Sequence, residues 1–573
     1  MDAATIYARR WWTLGVLCLS LLVIGLDNTI LNVALPTLVR DLHATGSQLQ
    51  WIVDAYTLIY ASILLTTGML GDRFGRKRAL NAGLVIFGLG SLASAFSGSA
   101  SQLIAARALA GIGGALIMPA TLSILTNVFP AEERGRAIGV WAGVSGVGIA
   151  VGPLLGGLLL EHFWWGSVFF VNVPVVVAAL VAGRFLVPTS KDPSAPRLDP
   201  AGTVLGTVGL ASLLYGIIEA PAQGWTSTNV VVGFVAGALL LTAFIVWELR
   251  SEHPMLDVRF FENPRFTGAS VAVTLVFFAM FGSMYFLTQY VQFVLGYSTM
   301  KAGAAFVPLA VAIMISAPRS AGLTARFGTK RVVAAGLAIV AADLVLLSQA
   351  TTHSPYLFIA VVLAALGAGM GIAMSPATES IMGSLPLAKA GVGSAVNDTT
   401  RQVGGALGVA ILGSLTAAAY HAKIGGSGVL RGLPTAAASA AHDSIGGAAG
   451  VAKALGPSGA AIANQANSAF VHAMGQTVLV GAGVALLGAL VALLFLPARP
   501  QPAVDEMWTA HAALLGHLTE MGLGSPAHRV EFSAAPNDWA VVRVFDGDGQ
   551  KLGWAAVRSA AGEAAEPALE LVA

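Results

Sequence analysis

The sequence predicts an all-α protein that crosses a membrane many times. Of its 573 residues, 56% are hydrophobic and only 10% are charged, and the mean hydropathy is +0.76. A soluble domain has no core large enough to hide that much apolar surface. The 67 glycines suit helices that pack closely in lipid, where small residues let backbones approach one another. These observations predict a membrane-embedded helical bundle.

Fourteen apolar segments are long enough to cross the bilayer. A helix of about 20 apolar residues spans the roughly 30 Å hydrocarbon core. We place the spans at residues 12–35, 52–70, 80–97, 103–128, 137–160, 167–186, 201–218, 230–248, 267–287, 302–318, 332–349, 357–375, 392–419 and 476–496. The thirteenth is the least apolar, because it contains Asn397, Asp398, Arg401 and Gln402.

The distribution of basic residues predicts the orientation. Most Lys and Arg residues between the predicted spans fall on one side of the membrane. The opposite side holds only Arg40, Lys301, Lys423, Arg431 and Lys453. Because cytoplasmic loops are enriched in Lys and Arg, we expect both termini in the cytoplasm, and therefore an even number of spans in the cell's inner (cytoplasmic) membrane.

The chain divides into four parts on this reading. Residues 1–190 form a six-helix bundle, and residues 191–262 add two inserted transmembrane helices with their linkers. Residues 263–500 form a second six-helix bundle, which includes an extracytoplasmic loop at 420–473. Residues 501–573 are a small soluble, cytoplasmic α+β appendage, with a predicted helix at 507–521 and strands at 539–545 and 552–557.

A short internal repeat relates the two bundles. The segment 68–78 reads Gly-Met-Leu-Gly-Asp-Arg-Phe-Gly-Arg-Lys-Arg and follows the second span. A degenerate copy at 322–331, Gly-Leu-Thr-Ala-Arg-Phe-Gly-Thr-Lys-Arg, follows the tenth. Repeated halves of this kind typically enclose a substrate site near the middle of the membrane.

Further motifs accompany the repeat in a fixed order. They are Leu26-Asp-Asn-Thr-Ile-Leu-Asn-Val-Ala-Leu-Pro36, Trp51-Ile-Val-Asp-Ala-Tyr56, Leu103-Ile-Ala-Ala-Arg-Ala-Leu-Ala-Gly-Ile-Gly-Gly114, Gly148-Ile-Ala-Val-Gly-Pro-Leu-Leu-Gly-Gly157, Pro254-Met-Leu-Asp257 and Asn397-Asp-Thr-Thr-Arg-Gln-Val-Gly-Gly405. With them the chain resembles the major facilitator superfamily, and within it the fourteen-span drug:proton antiporters of the EmrB/QacA type. The resemblance covers nearly all of residues 10–500 and implies a fold of two six-helix bundles with two inserted helices.

Charged residues within the spans are the candidate proton-coupling and substrate residues. A charge at the centre of a bilayer costs about 2.5–3.5 kcal/mol on insertion scales, so Asp27, in the middle of the first span, is a candidate for carrying protons or attracting a cation. Packing alone is the alternative. The resemblance implies a part in proton coupling for Arg107, which needs Asp27 or Asp54 as its partner. Asp54 is equally well explained as a solvated vestibule residue.

In the second half, Asp398 and Arg401 are three residues apart and share one helix face, where they can pair or line the cavity. This chain departs from the resemblance at three positions. Asn397 and Gln402 stand where QacA-type members tend to have further acids, and Ile313 stands where they have an intramembrane aspartate. Recognition of divalent cations is therefore not implied. Asp343, an acid that the resemblance does not predict, lies in the eleventh span, and packing or snorkelling on the lipid side explains it as well as transport.

Asp72, Arg73 and Arg76 are predicted to form a gate. A carboxylate at a helix end can accept hydrogen bonds from the N-terminus of a facing helix and bridge basic residues, which holds the inner side closed. The alternative is that this segment only sets the membrane orientation through its positive charge. That would explain the basic residues but not Asp72.

Two further groups are assigned conformational and cavity roles. The fifth span is predicted to bend and approach its neighbour through Gly148, Gly152, Pro153, Gly156 and Gly157. Candidate cavity-lining residues are Trp141, Tyr285, Gln289 and Tyr290, although aromatic residues at membrane interfaces are commonly anchors.

The predicted function is proton-coupled antiport that exports small lipophilic organic compounds, such as drugs, antiseptics or antibiotics, cations among them. The alternatives are an exporter of one endogenous metabolite, a proton-coupled importer, a channel, or a sensor acting through residues 505–573. No ATP-binding lysine motif, nucleophile cluster or metal-ligand set occurs in the sequence, and Cys18 is the single cysteine. We therefore expect no enzyme activity, metal or cofactor beyond the proton gradient, no nucleic-acid partner, and a monomer in the lipid bilayer.

Overall fold

The computed structural model describes residues 3–42, 46–192, 199–251, 254–498, 529–535, 539–545 and 551–558. Its helices are α1 (Ala3–Leu42), α2 (Gly46–Ser62), α3 (Leu64–Phe74), α4 (Arg76–Ala95), α5 (Ala100–Val128), α6 (Ala131–His162), α7 (Ser167–Phe170), α8 (Asn172–Leu186), α9 (Pro200–Gln223), α10 (Thr228–Arg250), α11 (Pro264–Gln289), α12 (Thr299–Ala305), α13 (Val307–Phe327), α14 (Thr329–Leu347), α15 (Tyr356–Met382), α16 (Ala390–Gly425), α17 (Thr435–Asp443), α18 (Ile445–Ala454) and α19 (Ala460–Phe495). Short 3₁₀ turns occur at Val258–Glu262, Leu387–Lys389 and Gly456–Gly459, and a π-helical turn at Tyr290–Val294 extends α11.

Among the described residues, eleven helices are long and apolar enough to cross a membrane, or up to twelve if the bent pair α2 and α3 is one span. Two further long helices, α6 and α14, lie where the sequence predicts the fifth and eleventh spans. Three charged residues, Lys330, Arg331 and Asp343, make α14 less apolar than its neighbours. The chain is thus a multi-pass membrane protein, and the count of fourteen stays a prediction. The thirteenth predicted span, at 392–419, forms one continuous helix, α16, in spite of its polar residues.

The packing of the helices repeats between the two halves. In the first half α1 packs against α6 and α4 against α5, and in the second half α11 packs against α16 and α14 against α15. The halves meet where α6 contacts α13 and α15, and where α16 contacts α3 and α5. We call the end of the bundle that contains Asp72 the inner end. Ser375 in α15 donates a hydrogen bond to the carbonyl of Gly135 in α6 (3.2 Å), which ties the halves together near that end.

The two copies of the short repeat form equivalent turns. Gly75 separates α3 from α4 and Gly328 separates α13 from α14, with φ of 109° and 85°. These left-handed φ values favour glycine, because a Cβ would clash with the backbone there. The helix after each turn is also held in the same way. At the start of α4, the backbone N–H of Arg76 donates to the carbonyl of Ser190, which follows the last helix of the first half (3.0 Å). At the start of α14, the backbone N–H of Lys330 donates to the carbonyl of Pro497, which follows the last helix of the second half (3.2 Å). The internal repeat is therefore structural.

Three predicted spans are interrupted. The axes of α2 and α3 differ by 50°, and Ser62 at the break donates its hydroxyl to the carbonyl of Leu58 (2.5 Å), a side-chain bond that often bends helices. The sixth span begins with the short α7, and the tenth is divided into α12 and α13. Pro308, near the start of α13, has no N–H to continue a helix from α12.

The inserted helices α9 and α10 pack against each other and lie beside both halves. Trp51 of α2 stacks on Tyr215 of α9, with ring centroids 6.4 Å apart. Trp225, just after α9, donates its indole N–H to Ser414 of α16 (2.9 Å). The inserted pair therefore contacts a helix from each half.

The predicted loop at 420–473 contains helical structure, because α16 runs to Gly425 and α17, α18 and the start of α19 follow. Beyond the bundle, β1 (Arg529–Ala535), β2 (Trp539–Phe545) and β3 (Lys551–Arg558) form an antiparallel sheet in the order β1-β2-β3. Two of these strands lie where the sequence predicts them, and β1 was not predicted. The predicted helix at 507–521 lies outside the described residues.

Glycines allow α4 and α5 to cross at very short range. A Cβ on Gly113 would lie 2.4 Å from the backbone nitrogen of Phe87, and a Cβ on Gly90 would lie 2.7 Å from that of Ala110. Since both obstructing atoms belong to helix backbones, no side-chain rotation can make room. By contrast, a Cβ on Gly483 in α19 would meet nothing within 4 Å.

We predict that Gly113→Ala destabilises the protein by about 1–3 kcal/mol, the usual cost of overpacking. Gly483→Ala is the matched control, because it makes the same change in an open helical position and should be neutral or stabilising by up to about 1 kcal/mol. The thermal unfolding of both purified variants in detergent micelles checks the expectation. Equal midpoints for the two variants would contradict the close crossing.

Candidate functional site

The first candidate site is a buried ion pair between α1 and α5. Asp27 is fully buried, and Arg107 is 1% exposed. Nη1 of Arg107 donates to Oδ2 of Asp27. The other carboxylate oxygen, Oδ1, accepts a hydrogen bond from the side-chain amide of Asn172 in α8 (3.0 Å). Both oxygens of Asp27 are therefore hydrogen-bonded, which compensates for the removal of its charge from water.

Arg107 is held on its other sides by α2. Its Nε donates to the carbonyl of Ile52 (3.3 Å), and its guanidinium lies 4.5 Å from the ring centroid of Tyr56. The sequence offered Asp27 and Asp54 as partners for Arg107, and the buried ion pair is with Asp27. Asn172 was missed, although a lone asparagine in the apolar run 168–177 was a usable signal.

The second candidate site lies on α16 and is a looser pair. Asp398 and Arg401 are 1% and 5% exposed, and Nη1 of Arg401 lies 3.7 Å from Oδ1 of Asp398. Asn397 donates to Oδ1 of Asp398 (3.3 Å). Thr378 of α15 donates to Asn397 (3.1 Å) and accepts from Nη2 of Arg401 (3.1 Å). Within the described part of the chain, Oδ2 of Asp398 and Nε of Arg401 are buried without hydrogen-bond partners.

Arg401 also joins the two halves of the protein. Its guanidinium lies 4.9 Å from the ring centroid of Trp141 in α6 and 5.4 Å from that of Phe277 in α11. Trp141 is fully buried and donates its indole N–H to Thr121 of α5 (3.2 Å). The π face of Trp141 thus contacts a cation of the protein itself, across the interface between the halves.

Two stacked tyrosines of α2 lie between the ion pairs. The rings of Tyr56 and Tyr60 are nearly parallel, with centroids 5.7 Å apart. Tyr56 contacts Arg107 as described, and Tyr60 lies one helical turn further along α2. A Cβ on Gly114 of α5 would lie 2.9 Å from the hydroxyl of Tyr56. The glycine-rich motif of α5 therefore makes room for the tyrosine pair that connects the two sites.

At the inner end, Asp72 joins α3 to the N-terminus of α16. Oδ1 of Asp72 accepts from the backbone N–H of Gly391 (2.9 Å), and Oδ2 accepts from that of Val392 (3.1 Å). Nε of Arg76 donates to Oδ1 as well (2.8 Å). These N–H groups belong to the first turn of α16, where a negative charge is also favoured by the helix dipole. Asp72 is 2% exposed, so the contact is sealed from water.

Arg76 extends this contact to the segment before α16. Its Nη2 donates to the carbonyls of Leu387 (2.6 Å) and Ala388 (3.0 Å). Lys389 forms an ion pair with Asp192, between Nζ and Oδ2 (3.4 Å). Arg73, the third predicted gate residue, is half-buried with its guanidinium 5.4 Å from the ring of Phe74. Asp72 and Arg76 therefore connect the two halves. The contact of Arg73 with Phe74 stays within the first half.

The glycine motif of α6 faces α1 at the level of Asp27. Thr29 donates to the carbonyl of Gly148 (3.0 Å), and a Cβ on Gly148 would lie 2.9 Å from Cα of Gly25. Gly152 faces Thr29 in the same way. Gly156 is buried. A Cβ added to Gly157 would lie 3.8 Å from Cβ of Met300, which is an ordinary van der Waals contact. The side chain of Pro153 lies outside the described residues.

The remaining predicted residues are more dispersed. Asp54 is half-buried on α2, and Tyr285 is 46% exposed on α11. The side-chain amide of Gln289 donates to the carbonyl of Tyr285 (3.3 Å). Tyr290 is fully buried, and its hydroxyl donates to the carbonyl of Thr351. These contacts are structural and place none of the last three residues beside the ion pairs.

Two other features lie outside the predicted sites. An open cavity of about 800 Å³ lies at the opposite end from Asp72, lined by residues that include Tyr297, His353, Tyr356 and Asn467. Asp343 in α14 is 3% exposed, so it lies between helices and does not snorkel to lipid. Neither carboxylate oxygen of Asp343 has a hydrogen-bond partner among the described residues.

A bundle of apolar helices in two related halves, with a buried charge pair in each half, defines a polytopic membrane transporter. The sequence profile of the Major Facilitator Superfamily matches residues 17–409. The chain belongs to this superfamily, and it is therefore a transporter and not an enzyme.

Several relatives are named as resistance, export or efflux proteins. The tetracenomycin C resistance and export protein of Streptomyces glaucescens is 34% identical over 521 residues, which is 90% of this chain and 97% of that one. The multidrug efflux pump LfrA of Mycolicibacterium smegmatis is 37% identical over 386 residues, 67% and 76% of the two chains. The methyl viologen resistance protein SmvA of Salmonella typhimurium is 38% identical over 384 residues, 67% and 77% of the two chains.

Solved structures agree on the fold. The proton:xylose symporter XylE matches with a TM-score of 0.56 at 15% identity, covering 87% of this chain and 99% of that one. The human organic anion transporter MFSD10 matches with a TM-score of 0.54, also at 15% identity, covering 84% and 99%. At this identity the likeness shows a shared fold and no more.

We predict that Asp27→Asn destabilises the protein by about 3–5 kcal/mol, because it leaves Arg107 as a buried charge without a counter-charge. Arg107→Met in addition should recover much of the loss, since neither charge then remains. A double-mutant cycle on the free energy of unfolding in mixed micelles measures this coupling. If the double variant loses the sum of the two single losses, the two side chains are not energetically coupled.

Proposed function

We propose that this protein is a proton-coupled antiporter that exports small lipophilic organic compounds, cations among them, across the cytoplasmic membrane. The single observation that supports this most is the arrangement of two buried acid–base pairs, Asp27 with Arg107 and Asp398 with Arg401, one in each half. Buried carboxylates are groups that a proton can neutralise, and we infer that Tyr60, which stacks on the Tyr56 ring that contacts Arg107, links the first pair to the second. A change of charge at one pair can therefore affect the other.

The Asp27–Arg107 pair supports a coupling step. A proton bound to Asp27 neutralises the acid and leaves Arg107 charged in a buried position, which is strongly unfavourable. Any conformation in which Arg107 reaches water or another acceptor is then favoured. Because Thr29 of α1 bonds to Gly148 of α6, a movement of α1 is transmitted to α6, and α6 packs against the second half. Protonation would in this way shift the balance between the inward-open and outward-open states.

The Asp398–Arg401 pair supports the binding of a substrate. One carboxylate oxygen of Asp398 has no hydrogen-bond partner in the described structure, and the rings of Trp141 and Phe277 lie against the guanidinium of Arg401. An organic cation would gain both an ionic contact with Asp398 and a π contact in place of Arg401. Two relatives are named for resistance to methyl viologen, which is an organic cation, and to tetracenomycin C. Export of a single endogenous metabolite and proton-coupled import are the alternatives.

Asp72 supports the role of an inner gate. Its carboxylate holds the N-terminus of α16, the helix that also contains Asp398 and Arg401. Opening of the inner face breaks these hydrogen bonds together with those of Arg76. The gate therefore acts on the same helix as the proposed substrate site.

The same proposal includes the finer topology. Fourteen spans are obtained when α6 and α14 are added to the twelve apolar spans. An even number of spans and the bias of Lys and Arg support the proposal that both termini, and with them the region of β1–β3, lie in the cytoplasm. One chain contains both halves of the site, so a monomer suffices for transport.

We predict that Asp27→Asn abolishes proton-driven efflux in inside-out vesicles with an imposed pH gradient, and that Asp27→Glu retains part of it, when each rate is divided by the amount of folded, membrane-inserted protein. Glu161→Gln, which neutralises an exposed acid on α6, is the matched control and should transport as the parent does. Asp398→Asn should reduce the transport of a lipophilic cation such as methyl viologen more than that of a neutral compound.

The measurement is substrate movement together with proton movement for each variant. Wild-type proton exchange by Asp27→Asn would refute the coupling role, and equal losses for cationic and neutral compounds would refute the role of Asp398 in recognising charge. Substrate accumulation in the opposite direction would instead indicate an importer.

We also predict that Asp72→Asn opens the inner end more often, because a neutral amide holds the helix N-terminus and Arg76 less strongly. Ser394 is fully buried two residues beyond Val392, so the reactivity of a cysteine placed there by Ser394→Cys, in a Cys18→Ser background, reports on opening. Labelling by a thiol reagent should become several-fold faster with Asp72→Asn and stay unchanged with Arg78→Gln, an exposed basic residue of the same segment. Unchanged labelling in both would remove the gate assignment.

A further inference from the structure

Two histidines that are distant in sequence meet at the end of the bundle opposite Asp72. His421 lies near the end of α16, and His442 lies near the end of α17. Their imidazole rings are stacked, with centroids 4.7 Å apart and planes 23° from parallel. Asp443 follows directly, with Oδ1 3.7 Å from Nδ1 of His442. One ligand atom from each of the three residues lies within 4.8 Å of the other two.

We propose that His421, His442 and Asp443 form a binding site for a divalent transition metal ion of the zinc class. Two imidazole nitrogens and a carboxylate oxygen are the donor set that such an ion prefers, whereas Ca²⁺ and Mg²⁺ prefer oxygen donors alone. Bonds of about 2.0–2.1 Å in a tetrahedron place the ligand atoms roughly 3.3–3.5 Å apart. The three groups must therefore close by about 1 Å, and at least one imidazole must turn out of the stacked arrangement so that the in-plane lone pairs of both rings point at the ion. A water molecule completes the coordination.

Neighbouring contacts hold the two histidines in register. Tyr420 is 2% exposed, and its hydroxyl donates to the backbone carbonyl of Ala441 (3.0 Å), which fixes the residues immediately before His421 and His442 to each other. The ring of His421 is also hydrogen-bonded to the backbone carbonyl of Asp443 (3.2 Å). Ser439 donates to Oδ2 of Asp443 (3.2 Å) and orients the carboxylate. The backbone positions of the ligands are therefore set before any ion binds.

Binding of the ion would attach α17 to the end of α16. The rings of both histidines are partly accessible, so an ion can enter from water. Because α16 also contains Asp398 and Arg401, the ion would fix one end of the helix that forms the second candidate site. The site itself does not depend on the proposed transport function, and it can be tested by binding alone.

The test uses the full chain, purified in detergent micelles with an affinity tag free of histidine and stripped of metal by a chelator. Equilibrium dialysis against Zn²⁺ should give about one bound ion per chain, and excess Mg²⁺ or Ca²⁺ should not displace it. His421→Ala and His442→Ala should each weaken binding by about tenfold or more. His353→Ala and His472→Ala, which remove exposed histidines elsewhere, are the matched controls and should bind as the parent does.

Hydrogen exchange of the unmodified protein provides a second readout, which does not depend on whether the histidine variants fold. Zn²⁺ should slow amide exchange in residues 417–446 and leave the inner end unchanged. The proposal is overturned if the parent binds no more Zn²⁺ than the His421→Ala/His442→Ala double variant. Loss of binding in the two control variants, or slowed exchange spread over the whole chain, would overturn it equally.

Discussion

The ion pair between Asp27 and Arg107 determines how the first half is assembled. A charge cannot be left alone in a medium of low dielectric constant, so each helix around the pair supplies a group to it. Asp27 comes from α1, Arg107 from α5, the amide of Asn172 from α8 and the carbonyl of Ile52 from α2. Four helices are thereby fixed to one point. Under the proposed coupling role, protonation of this one carboxylate would change a contact shared by all four helices.

The two charge pairs differ in how well they are satisfied. Both oxygens of Asp27 are bonded, whereas Asp398 and Arg401 are 3.7 Å apart at closest approach and each leaves a buried atom without a partner in the described structure. Native proteins rarely leave such groups unpaired without a reason. A loose pair is less costly to separate and offers a free acceptor to an incoming ligand. The difference fits a division of labour in which the first half responds to protons and the second to substrate.

Much of this arrangement could be predicted from the sequence, because charges in apolar segments are conspicuous. Asp27, Arg107, Asp398 and Arg401 were found in this way, and the turn containing Asp72 was recognised from its repeated pattern. Which groups complete each pair could not be predicted, because that depends on the rotation of helices about their axes.

Asn172 and Thr378 belong to helices other than those of the charges they contact, so no spacing along the chain reveals them. The same holds for His421 and His442, which come from α16 and α17 and lie next to the bond between Tyr420 and Ala441. The break between α2 and α3 was missed for a different reason. It follows a serine side-chain bond and not a proline, so the sequence gives only a weak signal.

The two copies of the inner turn differ at one position. Ala325 precedes Arg326 where Asp72 precedes Arg73, and a methyl group accepts no hydrogen bonds. The turn itself survives in both halves through Gly75 and Gly328. Under the gate role proposed for Asp72, opening of the inner face would require the release of one carboxylate, whereas an acid in both copies would require two. The two nearly symmetric halves are therefore joined asymmetrically at this end.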